Sequence, residues 1–178
     1  TGSSNTANGY ISLYANTTGT YNTAMGLYAL RYNKSATSTV AIGYQAGAGS
    51  SGNTYSQNNV FLGYNSGLAN TTGNNNTLLG YASGDLLTTG SGNILIGYNI
   101  DATSTDSVNF LNIGNTIYGN TGTGNVGIGT TSPYAALSVV GATGVVAEKY
   151  TATSTTVAST FGILTANSIA IATTSLQS

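Results

Sequence analysis

The sequence predicts an all-β fold: a β-solenoid of about eight 17-residue coils followed by a β-rich fibrous shaft. Three observations predict it. One glycine recurs at Gly9, Gly26, Gly43, Gly63, Gly80, Gly97, Gly114 and Gly129, in steps of 17, 17, 20, 17, 17, 17 and 15 residues. Short β-type triplets precede these glycines, and Asn, Thr and Gly turns follow them. Thr, Gly, Asn and Ser supply 96 of the 178 residues, which suits turns and strands and not helices. Helical repeats are also longer than 17 residues, typically 33 or more. A unit this small cannot bury its own apolar face, so copies must stack, one coil per repeat.

Each coil is read in order around its glycine. Two residues before the glycine's predecessor stand Thr6, Thr23, Val40, Val60, Thr77, Ile94, Leu111 and Val126, a column suited to strands. Directly before the glycine stand Asn8 and then Met25, Ile42, Leu62, Leu79, Ile96, Ile113 and Ile128. These two columns share one face of the strand, and Met25 through Ile128 are expected to form the internal core ladder. The column between them contains Ala24, Ala41, Phe61, Leu78 and Leu95. It leaves the opposite face, so its apolar side chains are expected to form an interface with other copies of the chain.

Asparagine opens the strand at Asn5, Asn22, Asn59, Asn76, Asn93 and Asn125. Stacked amides along the rod are the favoured reading, and a ligand-binding array is the alternative. Tyr10, Tyr44, Tyr64, Tyr81 and Tyr98 follow their glycines and form a candidate surface aromatic ladder. It would stack sugars, or, as the favoured reading has it, seal a corner or an interface. The three extra residues of the third repeat fall in Gly47-Ala48-Gly49-Ser50-Ser51-Gly52, where a loop can swell.

The repeats end at Gly129, and the chain's one proline follows at Pro133. This divides the chain into a solenoid region (1–129), a junction (130–136) and an interwound β-rich fibre segment (137–178). The last segment has short runs such as Leu137-Ser138-Val139-Val140 separated by Thr/Ser stretches, too few residues for a core of its own.

Composition excludes most chemistry. There is no His and no Cys, so a Ser-His-Asp triad, a thiol nucleophile, a zinc site and a disulfide framework are all out of reach. Three cations cannot neutralise a phosphate backbone, so no nucleic-acid partner is expected. No apolar run approaches the length of a membrane span. No catalytic residue, metal site or cofactor is assigned, and the chain is not expected to be an enzyme. It opens on Thr1 without a signal segment, as expected of a processed protein or a piece of a longer one.

Weaker motifs read structurally. Asn16, Asn33, Asn70 and Asn75 begin glycosylation-type triplets, which chance supplies in so Asn- and Thr-rich a chain. Asp101 and Asp106 lack the spacing of a calcium loop, and Gly122-Thr123-Gly124 lacks the context of a phosphate loop.

The pattern at 22–30, its relatives at 59–64 and 76–81, and above all Gly124-Asn125-Val126-Gly127-Ile128-Gly129-Thr130-Thr131-Ser132-Pro133 resemble bacterial and phage tail-fibre-domain proteins. Those proteins often end in an intramolecular chaperone of the endosialidase type. The head repeats are similar to the β-rolls of trimeric autotransporter adhesins. The resemblance implies an extracellular homotrimeric fibre at a cell or virion surface, with a cell-surface glycan or receptor as a further partner. An adhesin-like rod is the leading expectation, a phage tail fibre the alternative, and an ice-binding solenoid a second alternative. Interrupted Thr columns disfavour the last.

Overall fold

The computed structural model describes residues 2–50 and 56–140. All of these lie in one compact unit spanning residues 1–144, and a second unit, 145–178, falls outside the described residues. The fibre segment expected over 137–178 is therefore described only as far as residue 140.

Ten short strands form one sheet in sequence order: β1 (Thr6–Asn8), β2 (Thr23–Met25), β3 (Val40–Ile42), β4 (Val60–Leu62), β5 (Thr77–Leu79), β6 (Ile94–Ile96), β7 (Phe110–Ile113), β8 (Ile117–Asn120), β9 (Asn125–Ile128) and β10 (Leu137–Val139). From β1 to β7 each strand pairs in parallel with the next, Thr6 to Thr23 to Val40 to Val60 to Thr77 to Ile94 to Leu111. This is a β-solenoid of about six turns.

The repeat glycine is required by its surroundings. Gly26, Gly43, Gly63 and Gly80 have φ between 131° and 139°, a region open to glycine. A Cβ on any of them would strike the carbonyl oxygen of the repeat glycine one coil on. Each coil also turns on left-handed residues, including Ile11 (φ 57°), Leu13 (φ 51°) and Leu30 (φ 50°). Such conformations cost energy in non-glycine residues and are held by bonds between coils. The Leu13 N–H donates to Ala29 and the Leu30 N–H to Ala46, both at 3.0 Å.

The eighth coil is not formed. β7, β8 and β9 run antiparallel, so Ile128 lies opposite Ile117 and not above Ile113. The physical reason is a hairpin at Gly114 (φ 59°) and Asn115 (φ 53°), two successive left-handed residues. The fifteen-residue step holds two turns and two strands. The sheet continues past Pro133, because β10 pairs in parallel with β9.

The two faces of the strand are exchanged relative to the sequence expectation. Ala24, Ala41, Phe61, Leu78 and Leu95, expected at an interface with other copies, are 0 % exposed within the single chain and form its core. Met25 (40 %), Leu62 (38 %), Leu79 (38 %) and Ile128 (40 %), expected inside, point outward, and Ile42, Ile96 and Ile113 are half-buried. The reason lies in the pleat. Asn22, Ala24 and Gly26, or Asn59, Phe61 and Gly63, alternate onto one face. The asparagine is satisfied only inside the coil, so the residue two positions on goes in with it.

Candidate functional site

The asparagine column is a structural spine. Asn22, Asn59, Asn76 and Asn93 are buried. Each Nδ2 donates to a carbonyl fourteen residues on, from Asn22 to Ala36 (2.6 Å), Asn59 to Gly73 (2.9 Å), Asn76 to Gly90 (2.8 Å) and Asn93 to Ser107 (2.7 Å). Oδ1 accepts the backbone N–H of the residue one coil on, as in Asn76 to Asn59 (2.8 Å) and Asn93 to Asn76 (2.9 Å). Thr39 takes the place of asparagine in the third coil and accepts weakly, at 3.4 Å, from Asn59 N–H. Asn5 is partly buried and follows the same pattern, whereas Asn125 donates to the Pro133 carbonyl instead. These amides are spent on backbone and offer no ligand array. Of the four glycosylation-type asparagines, Asn33 and Asn70 are buried, Asn16 is half-buried, and Asn75 is exposed.

The outward face is the surface left for recognition. Its two columns, apolar except at Thr6, Asn8, Thr23, Thr77 and Gly119, run through the parallel coils and across the antiparallel strands without a break in register. Leu111 faces Gly119, Gly119 faces Val126, and Val126 faces Leu137. Ile113, Ile117, Ile128 and Val139 do the same. Ten strands at about 4.8 Å make a face on the order of 43 Å long. It carries no charged residue in either column. A recess of about 200 Å³ is lined by Leu111, Asn120, Thr121, Gly124, Asn125 and Val126.

Along one margin of this face runs the tyrosine ladder. Tyr44, Tyr64, Tyr81 and Tyr98 stack in succession with centroids 4.9, 5.0 and 5.1 Å apart and planes within 14°. Tyr10 joins only through Tyr28, by edge contacts at 6.0 and 6.2 Å. Tyr28 escaped the sequence reading because Leu27 stands between it and Gly26. The signal was present in spacing, since Tyr28 lies 18 residues after Tyr10 and 16 before Tyr44, one place off the 17-residue step. The stacked rings use their faces on one another, so the ladder presents edges and hydroxyls, with a free ring face only at its ends.

Charge is sparse and sorted. Arg31 lies over the rings of Tyr28 and Tyr32, 4.6 Å from each centroid. Asp101 accepts weakly from Leu86 N–H at 3.4 Å. Burial pushes its carboxyl above the ordinary carboxylate range, the Leu86 bond opposes this, and the neighbouring Asp85 adds to it. Among the described residues no group of three or more potential metal ligands occurs. No helix among them is long and apolar enough to cross a membrane. Comparison with known proteins finds no matching family, no matching curated protein and no matching solved structure.

Proposed function

We propose that this chain is a non-enzymatic structural segment of an extracellular fibre, displayed at a cell or virion surface, and that it assembles as a homotrimer through its outward face. The observation that carries the reading is the uncharged and largely apolar surface that runs from β2 to β10, with Val60, Leu62, Leu79 and Leu137 exposed on it. Single chains seldom leave so continuous an apolar patch to water. The expected interface thus moves from the Phe61 column to the Leu62 column. Parallel association about an axis along the rod keeps every chain equivalent and stacks like ladder on like ladder. Residues such as Asn and Thr hydrate the remaining sides with little dependence on salt. A glycan partner would meet the hydroxyl edge of the tyrosine ladder or the free face of Tyr98, which is 76 % exposed.

Native mass measurement tests the assembly. A trimer is expected for the parent, and a monomer with unchanged circular dichroism for Leu62→Asp combined with Leu79→Asp. A parent that is monodisperse as a monomer would refute the proposal.

A further inference from the structure

Tyrosine and positive charge concentrate in the first two coils. Tyr10, Tyr14, Tyr21, Tyr28 and Tyr32 stand here, and among them Arg31, the chain's one arginine. Tyr10, Tyr14 and Tyr21 are exposed. The same two coils carry Thr6, Asn8 and Thr23, most of the polar positions in the outward columns. The apolar surface offered for assembly gives way here to rings and a cation.

Arg31 is held in a defined pose. Its guanidinium lies 4.6 Å from the ring centroids of both Tyr28 and Tyr32. Tyr28 is braced in turn by edge contacts with Tyr10 and Tyr44. The Arg31 Nε–H is buried and has no acceptor, whereas Nη1 and Nη2 reach solvent. Among the described residues the nearest acid along the rod is Asp85, three coils on and about 14 Å away at the strand spacing. A guanidinium already ordered and partly dehydrated loses less freedom and less hydration when it takes up an anion. Tyr14 supplies a second contact. The Ala15 N–H donates to the Arg31 carbonyl at 3.0 Å, which sets Tyr14 one coil below Arg31, at about 4.8 Å. Tyr14 is 73 % exposed, so its ring is open to a ligand.

We infer that this corner binds a carboxylate-bearing saccharide, a uronic acid or a chain of them. The carboxylate accepts end-on from Nη1 and Nη2 of Arg31, and the apolar face of its pyranose lies on Tyr14. In a uronic acid the carboxylate is attached directly to the pyranose ring, so the two contacts fall about one coil spacing apart. An acidic peptide would use the arginine without needing the ring, and a neutral sugar the ring without needing the arginine. The site goes beyond the neutral contacts offered by the tyrosine ladder. It uses no residue of the outward columns and does not depend on assembly.

Titration of the nitrogen-labelled full chain with tetragalacturonate tests the inference. Arg31 gives the chain's one arginine Nε–H signal, and that signal is expected to shift. Arg31→Lys keeps the charge and loses the fork, and should weaken binding about tenfold or more. Tyr14→Ala alters an exposed position, and should weaken binding about threefold or more with unchanged circular dichroism. The methyl ester of the same tetrasaccharide should bind about tenfold more weakly or worse, because it lacks the charge. The chain carrying Leu62→Asp and Leu79→Asp should bind as the parent does, whatever the parent's native mass, which separates failure of this inference from failure of the assembly. An unshifted Arg31 signal, unaltered affinity in either site variant, or equal binding of the methyl ester, of polyglutamate or of a sulfated neutral tetrasaccharide would each overturn the inference.

Discussion

The first coils and the later coils fill the same core from opposite walls. In coils one and two the strand residue is alanine, with Ala24 buried and Ala7 exposed, and the turn contributes Leu13 and Leu30. In coils four to six the strand contributes Phe61, Leu78 and Leu95. The turn position that would carry leucine becomes Gly67 in coil four and Gly84 in coil five. A Cβ on Gly67 would run into the Phe61 ring, and one on Gly84 into Leu78 at 2.7 Å. The third coil is the handover. Its own residues are Ala41 and Gly47, and Leu30 from one side and Phe61 from the other close over Gly47. The strand and this turn position thus share one space in coils one to five, where a large side chain on one faces an alanine or glycine on the other, and the backbone is indifferent to which wall supplies it. The left-handed turn is the same whether the residue is Leu30 (φ 50°) or Gly67 (φ 63°).

The sharpest way to break this picture is a charge on the filled wall. Leu95→Asp places an unpaired carboxylate in the core and is expected to cost at least ~4 kcal/mol, enough to unfold the chain in a thermal melt. Its neighbour Ile96→Asp lies on the half-buried outward column and should leave the isolated fold standing while weakening self-association. Equal melting temperatures for the two variants would contradict the assignment of faces.

The comparison is sharpened by converting one kind of coil into the other. Phe61→Ala should cost about 3–5 kcal/mol by leaving a cavity. Adding Gly67→Leu makes coil four resemble coils one and two, and should recover more than about 1 kcal/mol of that loss in a double-mutant cycle. Gly67→Leu alone, with Phe61 in place, should destabilise. Additive losses in denaturant titrations would show that the walls do not compensate.

A smaller effect tests the spine common to both regions. Asn76→Leu removes the acceptor of the Asn93 N–H and the donor to the Gly90 carbonyl. It should cost about 1–3 kcal/mol, with faster amide exchange at Asn93. The smallest effect belongs to the acidic end. The folded chain raises the Asp101 pKa, so its protonated form is favoured on folding. Stability from this group is fullest below the ordinary aspartate pKa and is lost as pH rises through the raised value. Asp101→Asn should therefore flatten the acid-side pH dependence of the melting temperature and raise stability slightly at neutral pH.

Much of the fold was legible because the glycines are spaced by backbone contact, coil upon coil, and that spacing appears directly in the chain. The strand triplets and their register followed from it. What alternation could not decide was which face goes in, because Phe61, Leu78 and Leu95 are as apolar as Leu62, Leu79 and Ile96. The deciding residue was Asn59, or Asn76, or Asn93, two positions earlier. A column of amides bonded to neighbouring backbone must be inside, and it takes the residue at i+2 with it. The antiparallel strands were hidden for another reason. Gly114 keeps the repeat spacing, but its φ of 59° departs from the 131° to 146° of the six repeat glycines before it, and spacing carries no dihedral. For the candidate surface, the tyrosines were found by position, whereas their mutual stacking depends on ring orientation.

The asparagine spine has a direction. Each amide fastens its own coil shut through Nδ2 and holds out Oδ1 to the coil that follows. A chain is synthesised from its N-terminus, so a finished coil is already presenting the acceptor when the next one emerges. Assembly of the rod can then proceed as a ratchet, each click requiring only the coil before it. The weak tooth is Thr39, whose hydroxyl reaches Asn59 N–H at 3.4 Å, in the coil where the core also changes walls.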